Sequence, residues 1–292
     1  MINQISQEVL PINLKSLKRL GIDEISLVKG QGKFVVVLVD LEKGKLIGLI
    51  KDRKAKILEN YLKNWGNEIL EQIEEVSIDL CKMYKNIIKK VCPNAVVTAD
   101  RFHLTKLLHE ELNQGRIDPP TDLEQVPGRK RGVAFRDQKK TAESLEIEQR
   151  KQIFAAIKGG KYVLLKRESK LKDKQKIKLY QMKEASPLIE IMHNLKEEFT
   201  YIFEKSQNLG EGTLNLAEWM LKAQKYFPKT VRTMKNWFAE IVGYFERKTT
   251  NGVVEGINNR LKVLKRCGFG FKNFDNYQKR ALLFWHLADS LA

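Results

Sequence analysis

GIDEISLVKGQGKFVVVLVDLEKGKLIGLI, residues 21–50, holds three blocks of apolar, largely β-branched residues, and the turn Glu42-Lys43-Gly44 breaks the last two apart. Alternation and the tight turns predict three consecutive strands. Downstream, Asp52 to Trp65 carries Ile57, Leu58, Tyr61 and Leu62 at helical spacing, and Glu75 to Leu80 is a short β-rich run. Lys82 to Val91 reads as a helix that ends before Cys92-Pro93-Asn94, and AVVTAD, residues 95–100, as a fifth strand. The predicted order is β-β-β-α-β-α-β.

That order is the one found in the ribonuclease H-like fold, an α/β architecture with a mixed five-stranded sheet and a late helix. Such folds carry catalytic acids on the first strand, at the end of the fourth and on the late helix. Asp23, Asp79 and Glu255 occupy those places. From Leu104 to about Ile241 the chain turns Lys-rich and helical, interrupted at Asp118-Pro119-Pro120 and Pro127-Gly128. The expected organisation is residues 19–110 as the first part of the core, 111–240 as a large helical basic insertion and 241–292 as the last core helices.

Lys plus Arg number 53 against 36 Asp plus Glu, a formal net charge of +17, which favours phosphate-rich partners. Clustered cations sharpen that expectation: GRKRGVAFRDQKK, residues 128–140, offers Arg129, Lys130, Arg131, Lys139 and Lys140 to nucleic acid. With 42% hydrophobic and 30% charged residues the composition is globular, and no apolar run of about 18 residues predicts a membrane span. Three cysteines with no CxxC spacing argue against a disulfide framework and a structural zinc site. A cytoplasmic protein is expected.

Carboxylates far apart in sequence, inside a basic chain, point to divalent cations beside a polyanion. A phosphodiester repels nucleophiles, and two divalent cations about 3.5–4 Å apart activate the attacking oxygen and stabilise the leaving one. Two Mg²⁺ or Mn²⁺ ions are expected, since both take hard oxygen ligands. Strand alternation points Asp23 and Glu24 to opposite faces, and with Ile22 and Ile25 both in the core the strand is covered on two sides. Asn259, Lys262 and Arg266 follow Glu255 on one helical face, set toward a DNA backbone, while Val254, Ile257, Leu261 and Leu264 form the opposite face. Structural readings stand beside these. Asp23 also suits a turn, Asp79 an N-cap for the next helix, and Glu255 an exposed stabilising position. Asp100 and His103, three apart after the fifth strand, suit a metal ligand with its orienting partner, or a structural histidine. Phe269, Phe271, Phe274 and Tyr277 read as core closure ahead of base stacking.

GIDEISLVKGQGKFVVVLVDLEKGKLI, VSIDLCKMYKNIIKKVCPNAVVTADRFHL and VVEGINNRLKVLKRCGFGFKNFDNY resemble, in order, the catalytic blocks of insertion-sequence transposases of the ISL3 family, a DDE group. The resemblance implies Asp23 as first acid and Glu255 as last. For the second, Asp79 and Asp100 compete, and fold logic favours Asp79 at the end of the fourth strand. Asp100-Arg101-Phe102-His103 is similar to the Cys/Asp-x-x-His signature of related superfamilies, an accessory role. Cleavage at insertion-sequence ends and transfer of 3′ hydroxyls into target DNA are then expected of a bacterial, nucleoid-associated protein that works as a homo-oligomer in a synaptic complex. A ribonuclease H-like nuclease without strand transfer and a non-catalytic DNA-binding remnant are the alternatives. Family members carry a DNA-reading region ahead of the first catalytic strand. The 22 residues before Asp23 contain no cysteine or histidine, so residues 1–18 are expected to be a remnant of it.

Overall fold

Strand β1 (Arg19–Ser26) pairs antiparallel with β2 (Phe34–Asp40), and β2 with β3 (Lys45–Ile50). The structure, a computed structural model, describes residues 12–26, 34–117, 151–248, 252–268 and 273–290. At the β2–β3 turn Asp40 Oδ1 accepts from the Glu42 and Lys43 amides, each at 3.0 Å, and Gly44 takes a φ of 66°, open to glycine at no steric cost. Two helices, α1 (Ala55–Lys63) and α2 (Asn67–Gln72), lead to β4 (Glu75–Ile78). The single helix expected from Asp52 to Trp65 thus ends early, and Gly66, at a φ of 88°, turns the chain into the second. Helix α3 (Lys82–Val91) and β5 (Val96–Ala99) fall where the sequence puts them.

The sheet order is β3-β2-β1-β4-β5, with β1–β4 and β4–β5 parallel. This is the mixed five-stranded sheet of the ribonuclease H-like fold, in a chain that is mostly helical. Helix α4 (Arg101–Ile117) starts directly at the end of β5.

The chain forms two compact units, residues 1–103 with 237–292, and residues 104–236. In the second unit residues 151–157 are helical, followed by α5 (Lys161–Leu165), α6 (Asp173–Ala185), α7 (Pro187–Lys205), α8 (Leu209–Ala223) and α9 (Pro228–Asn236). Ser186 caps α7 through its hydroxyl, with Pro187 at the first helical position, and Asn208 caps α8. Phe199 lies 5.0 Å from the Trp219 ring, and Trp219 Nε1 donates to the Leu195 carbonyl at 2.8 Å. Lys196, buried, donates to the Leu164 and Lys166 carbonyls at 3.0 and 2.9 Å and pairs with Glu197 at 2.6 Å. Its burial is therefore matched donor by donor, although burial still lowers its pKa.

Glu111 does for α9 what a local cap does elsewhere. Its carboxylate accepts from the Lys229 amide at 2.9 Å, the Thr230 amide at 2.8 Å and the Thr230 hydroxyl at 2.7 Å. Glu111→Ala is expected to destabilise this unit by about 1–2 kcal/mol, the usual cost of a lost cap. Urea unfolding followed by helical circular dichroism measures it, and an unchanged midpoint would show that solvent replaces the carboxylate.

The chain returns to the first unit with α10 (Phe238–Arg247), α11 (Gly252–Cys267) and α12 (Phe274–Ser290). On one face of the sheet Ile25, Val35, Val37, Val39, Leu46 and Leu49 form a core with Val254, Ile257 and Leu261 of α11 and Tyr277, Ala281 and Trp285 of α12. Tyr277 closes this core, its hydroxyl donating to the Leu261 carbonyl at 3.0 Å, and Phe274 packs at its margin. Phe269 and Phe271 lie outside the described residues. At Gly21 α11 comes close to β1: a Cβ there would stand 2.9 Å from a Val254 methyl and 2.8 Å from one of Leu41. Against the opposite face lies α3, whose Tyr84 hydroxyl donates to Glu24. No helix among the described residues is long and apolar enough to cross a membrane.

Candidate active site

Three aspartates stand in one row across the parallel part of the sheet. Ile22 pairs with Ile78 and Ile78 with Ala99, so the next residue of each chain segment, Asp23, Asp79 and Asp100, falls in register at neighbouring positions. Residues paired across parallel strands share a face, which is why carboxylates 56 and 77 positions beyond the first converge.

Asp23 is held by both oxygens. Oδ1 accepts from the Glu24 amide at 2.6 Å and Oδ2 from the side-chain amide of Asn258 on α11. Glu24, on the other face as alternation requires, accepts from Tyr84 and from Arg53 at 3.2 Å. Ile22 and Ile25 are both buried, so β1 is covered on two sides.

Asp79 follows β4 and does not cap the next helix. Helix α3 starts at Lys82 with Cys81 at its N-cap position and no side-chain cap bond. The capping role belongs to Asp100, directly ahead of α4, whose Oδ1 accepts from the Phe102 amide at 2.9 Å. One turn into α4, His103 Nδ1 lies 3.0 Å from Asp79 Oδ1 and 3.2 Å from Asp100 Oδ2. A single Nδ1–H cannot serve both. Bonded to Asp100, it leaves the buried Asp79 Oδ1 without a hydrogen bond among the described residues.

The electrostatics follow from that crowding. Burial first, then the charge of Asp23, push the Asp79 carboxyl up to about 8, with His103 opposing. Burial works against the His103 imidazolium, but the Asp100 hydrogen bond and the carboxylates of Asp79, Asp100 and Asp23 outweigh it, so its pKa is raised. With Nδ1 facing both carboxylates, His103 suits the task of orienting them.

Asp23, Asp79 and His103 each offer a ligand atom within 4.8 Å of the others. An orphaned buried carboxylate oxygen beside a second carboxylate is an excess of hard, anionic donors that a divalent cation would satisfy, and so the residues fit Mg²⁺ or Mn²⁺. Glu255 is exposed in the first turn of α11 and stands outside this group of atoms. Asn259, Lys262 and Arg266 are exposed with it, on the face away from Val254, Ile257 and Leu261. Arg129, Lys130, Arg131, Lys139 and Lys140 lie outside the described residues.

Asn258 is the residue that the spacing from Glu255 passes over. It is 5% exposed among Val254, Ile257 and Leu261, so a polar amide inside an apolar helical stripe was the signal.

A family model described as a transposase, of the DDE type and ISL3 group, matches residues 20–281. The transposase for insertion sequence element IS1557 of Mycobacterium tuberculosis, in two strains, is 27% identical over 266 residues, covering 88% of this chain and 58% of the relative. The transposase for insertion sequence element IS1001 of Bordetella parapertussis is 21% identical over 263 residues, with the same shares covered. The chain spans 58% of the length of these curated relatives.

Proposed function

The chain belongs to the ISL3 family of DDE transposases, and from that premise we propose that it cleaves DNA strands at insertion-sequence ends and transfers the freed 3′ hydroxyls into target DNA. The observation that carries this reading is the convergence of Asp23 and Asp79 at adjacent strand positions, with His103 Nδ1 3.0 Å from Asp79.

Asp23, Asp79 and Glu255 are the acids that would hold the metal ions. Divalent cations bound there would supply an activated attacking oxygen and stabilise the leaving one. Asp23, pinned at both oxygens, gives the site a fixed anchor. His103 and Asp100 keep Asp79 turned toward Asp23, an accessory role. Asn259, Lys262 and Arg266, exposed beside Glu255, would meet the phosphates of the bound strand, and Arg129, Lys130, Arg131, Lys139 and Lys140 would add cations for nucleic acid. Two element ends must be held together while they are cut, which makes a homo-oligomeric synaptic assembly on nucleoid DNA the working state.

The test is cleavage and joining of DNA carrying the element's ends, in Mg²⁺ or Mn²⁺, by the wild type and by Glu255→Gln. Metal-dependent nicking and strand joining are expected, with Glu255→Gln slower by about a hundredfold or more. Nicking without joining would make the protein a nuclease of the same fold. DNA binding with no cleavage in either metal would leave it a DNA-binding remnant.

A further inference from the structure

We propose that Asn258 is a positioning residue of the acid site, holding the Asp23 carboxylate in the orientation it needs beside Asp79. The inference rests on the reading of Asp23 and Asp79 as metal-holding acids.

Packing does not explain an asparagine here. Its neighbours on the buried stripe of α11, Val254, Ile257 and Leu261, are all aliphatic and all seated on the sheet core. A leucine would fill such a place without burying an amide. Asn258 does bury one, at 5% exposure, and its Oδ1 has no hydrogen-bond partner among the described residues. A half-satisfied amide is destabilising in a core, so it is expected where another requirement sets the residue.

That requirement is visible at the other end of the amide. Nδ2 donates to Asp23 Oδ2, across 235 positions of sequence, while Asp23 Oδ1 is held by the amide of Glu24. The Glu24 bond is local and fixes one oxygen only. With Asn258 added, the carboxylate has one orientation in place of a set of rotamers, and that orientation is fixed by a helix that packs against the sheet. Asn258 thus stands to Asp23 as His103 stands to Asp100: a side chain that hydrogen-bonds a carboxylate of the site. Groups of this kind, when removed, weaken metal affinity or activity by about ten- to a hundredfold.

The experiment measures Mn²⁺ binding to the full chain by calorimetry, with the electron paramagnetic resonance spectrum of the bound ion and the melting temperature recorded on the same samples. Asn258→Leu and Asn258→Ala are compared with Asp23→Asn. The expected result is Asp23→Asn with binding abolished, and both Asn258 variants with Mn²⁺ affinity lowered about tenfold, an altered spectrum, and a melting temperature at or above that of the wild type. A lower melting temperature with unchanged Mn²⁺ affinity and spectrum would overturn the proposal, because the amide would then only fasten α11 to β1. Loss of folding in both Asn258 variants would overturn it for the same reason. Unchanged Mn²⁺ binding in Asp23→Asn would instead remove the acid-site reading on which the proposal stands.

Discussion

Asp79→Asn is expected to slow metal-dependent strand cleavage by about a thousandfold, and Asp100→Asn by only about ten- to a hundredfold. The two aspartates are neighbours in register, yet their oxygens are committed differently. Asp100 spends one oxygen on the Phe102 amide and the other on His103. Asparagine keeps that N-cap through its Oδ1, so the change removes the charge and the acceptor that face His103 Nδ1 and leaves the Asp79 carboxylate in place. Asp79 Oδ1 is buried and unbonded when the histidine proton goes to Asp100, which leaves it as the oxygen free to take a cation. Replacing it by an amide removes a charge that nothing nearby replaces. Single-turnover cleavage of a labelled element end, at saturating protein, separates the two. Equal losses would mean that Asp100 holds metal as directly as Asp79 does.

The same contrast marks what the sequence could and could not tell. Both aspartates precede helices, and a cap reading was open for Asp79. Two residues, Leu80 and Cys81, intervene before α3 begins, whereas Asp100 abuts α4, so the cap went to the residue with no spacer. The sheet itself was legible because its strands are short apolar blocks closed by turn residues, and strand order plus parallel register is enough to align Asp23 with Asp79. Helix α2 was hidden because Asn67–Gln72 is six residues long and buries only Leu70, too little for a helical stripe to show beyond Trp65. Asn258 escaped for a geometrical reason. Counting from Glu255 in steps of four, seven and eleven selects Asn259, Lys262 and Arg266, the exposed face. Counting four from Val254 selects Asn258, and only contact with β1 shows that this face touches an acid.

Without divalent cations, the stability of the sheet unit is expected to fall as pH rises from about 4 to about 8, and Mn²⁺ or Mg²⁺ is expected to reverse the fall. In the unfolded chain Asp79 ionises near its ordinary value, about 4. In the folded site burial and Asp23 keep its proton on up to about 8, so the folded state binds more protons across that window. Stability then declines with rising pH, and the contribution is fully present only below the unfolded value. His103 acts in the same direction: its raised pKa gives stability below the ordinary histidine value that is lost as pH climbs through the folded one. A cation takes the place of the Asp79 proton, so its binding strengthens as pH rises. At a hundredfold excess over Kd it adds about 2.7 kcal/mol, a rise in melting temperature of about 5 °C for a chain of this size. Amide exchange in β1 and β4 assigns the effect to the unit that holds the acids. In Asp79→Asn the apoprotein is expected to be more stable than the wild type at pH about 8 and to gain little from Mn²⁺, because the repulsion and the ligand are the same carboxylate. If Mn²⁺ stabilises that variant as much as the wild type, the cation sits elsewhere and Asp79 is a buried acid without a metal to hold.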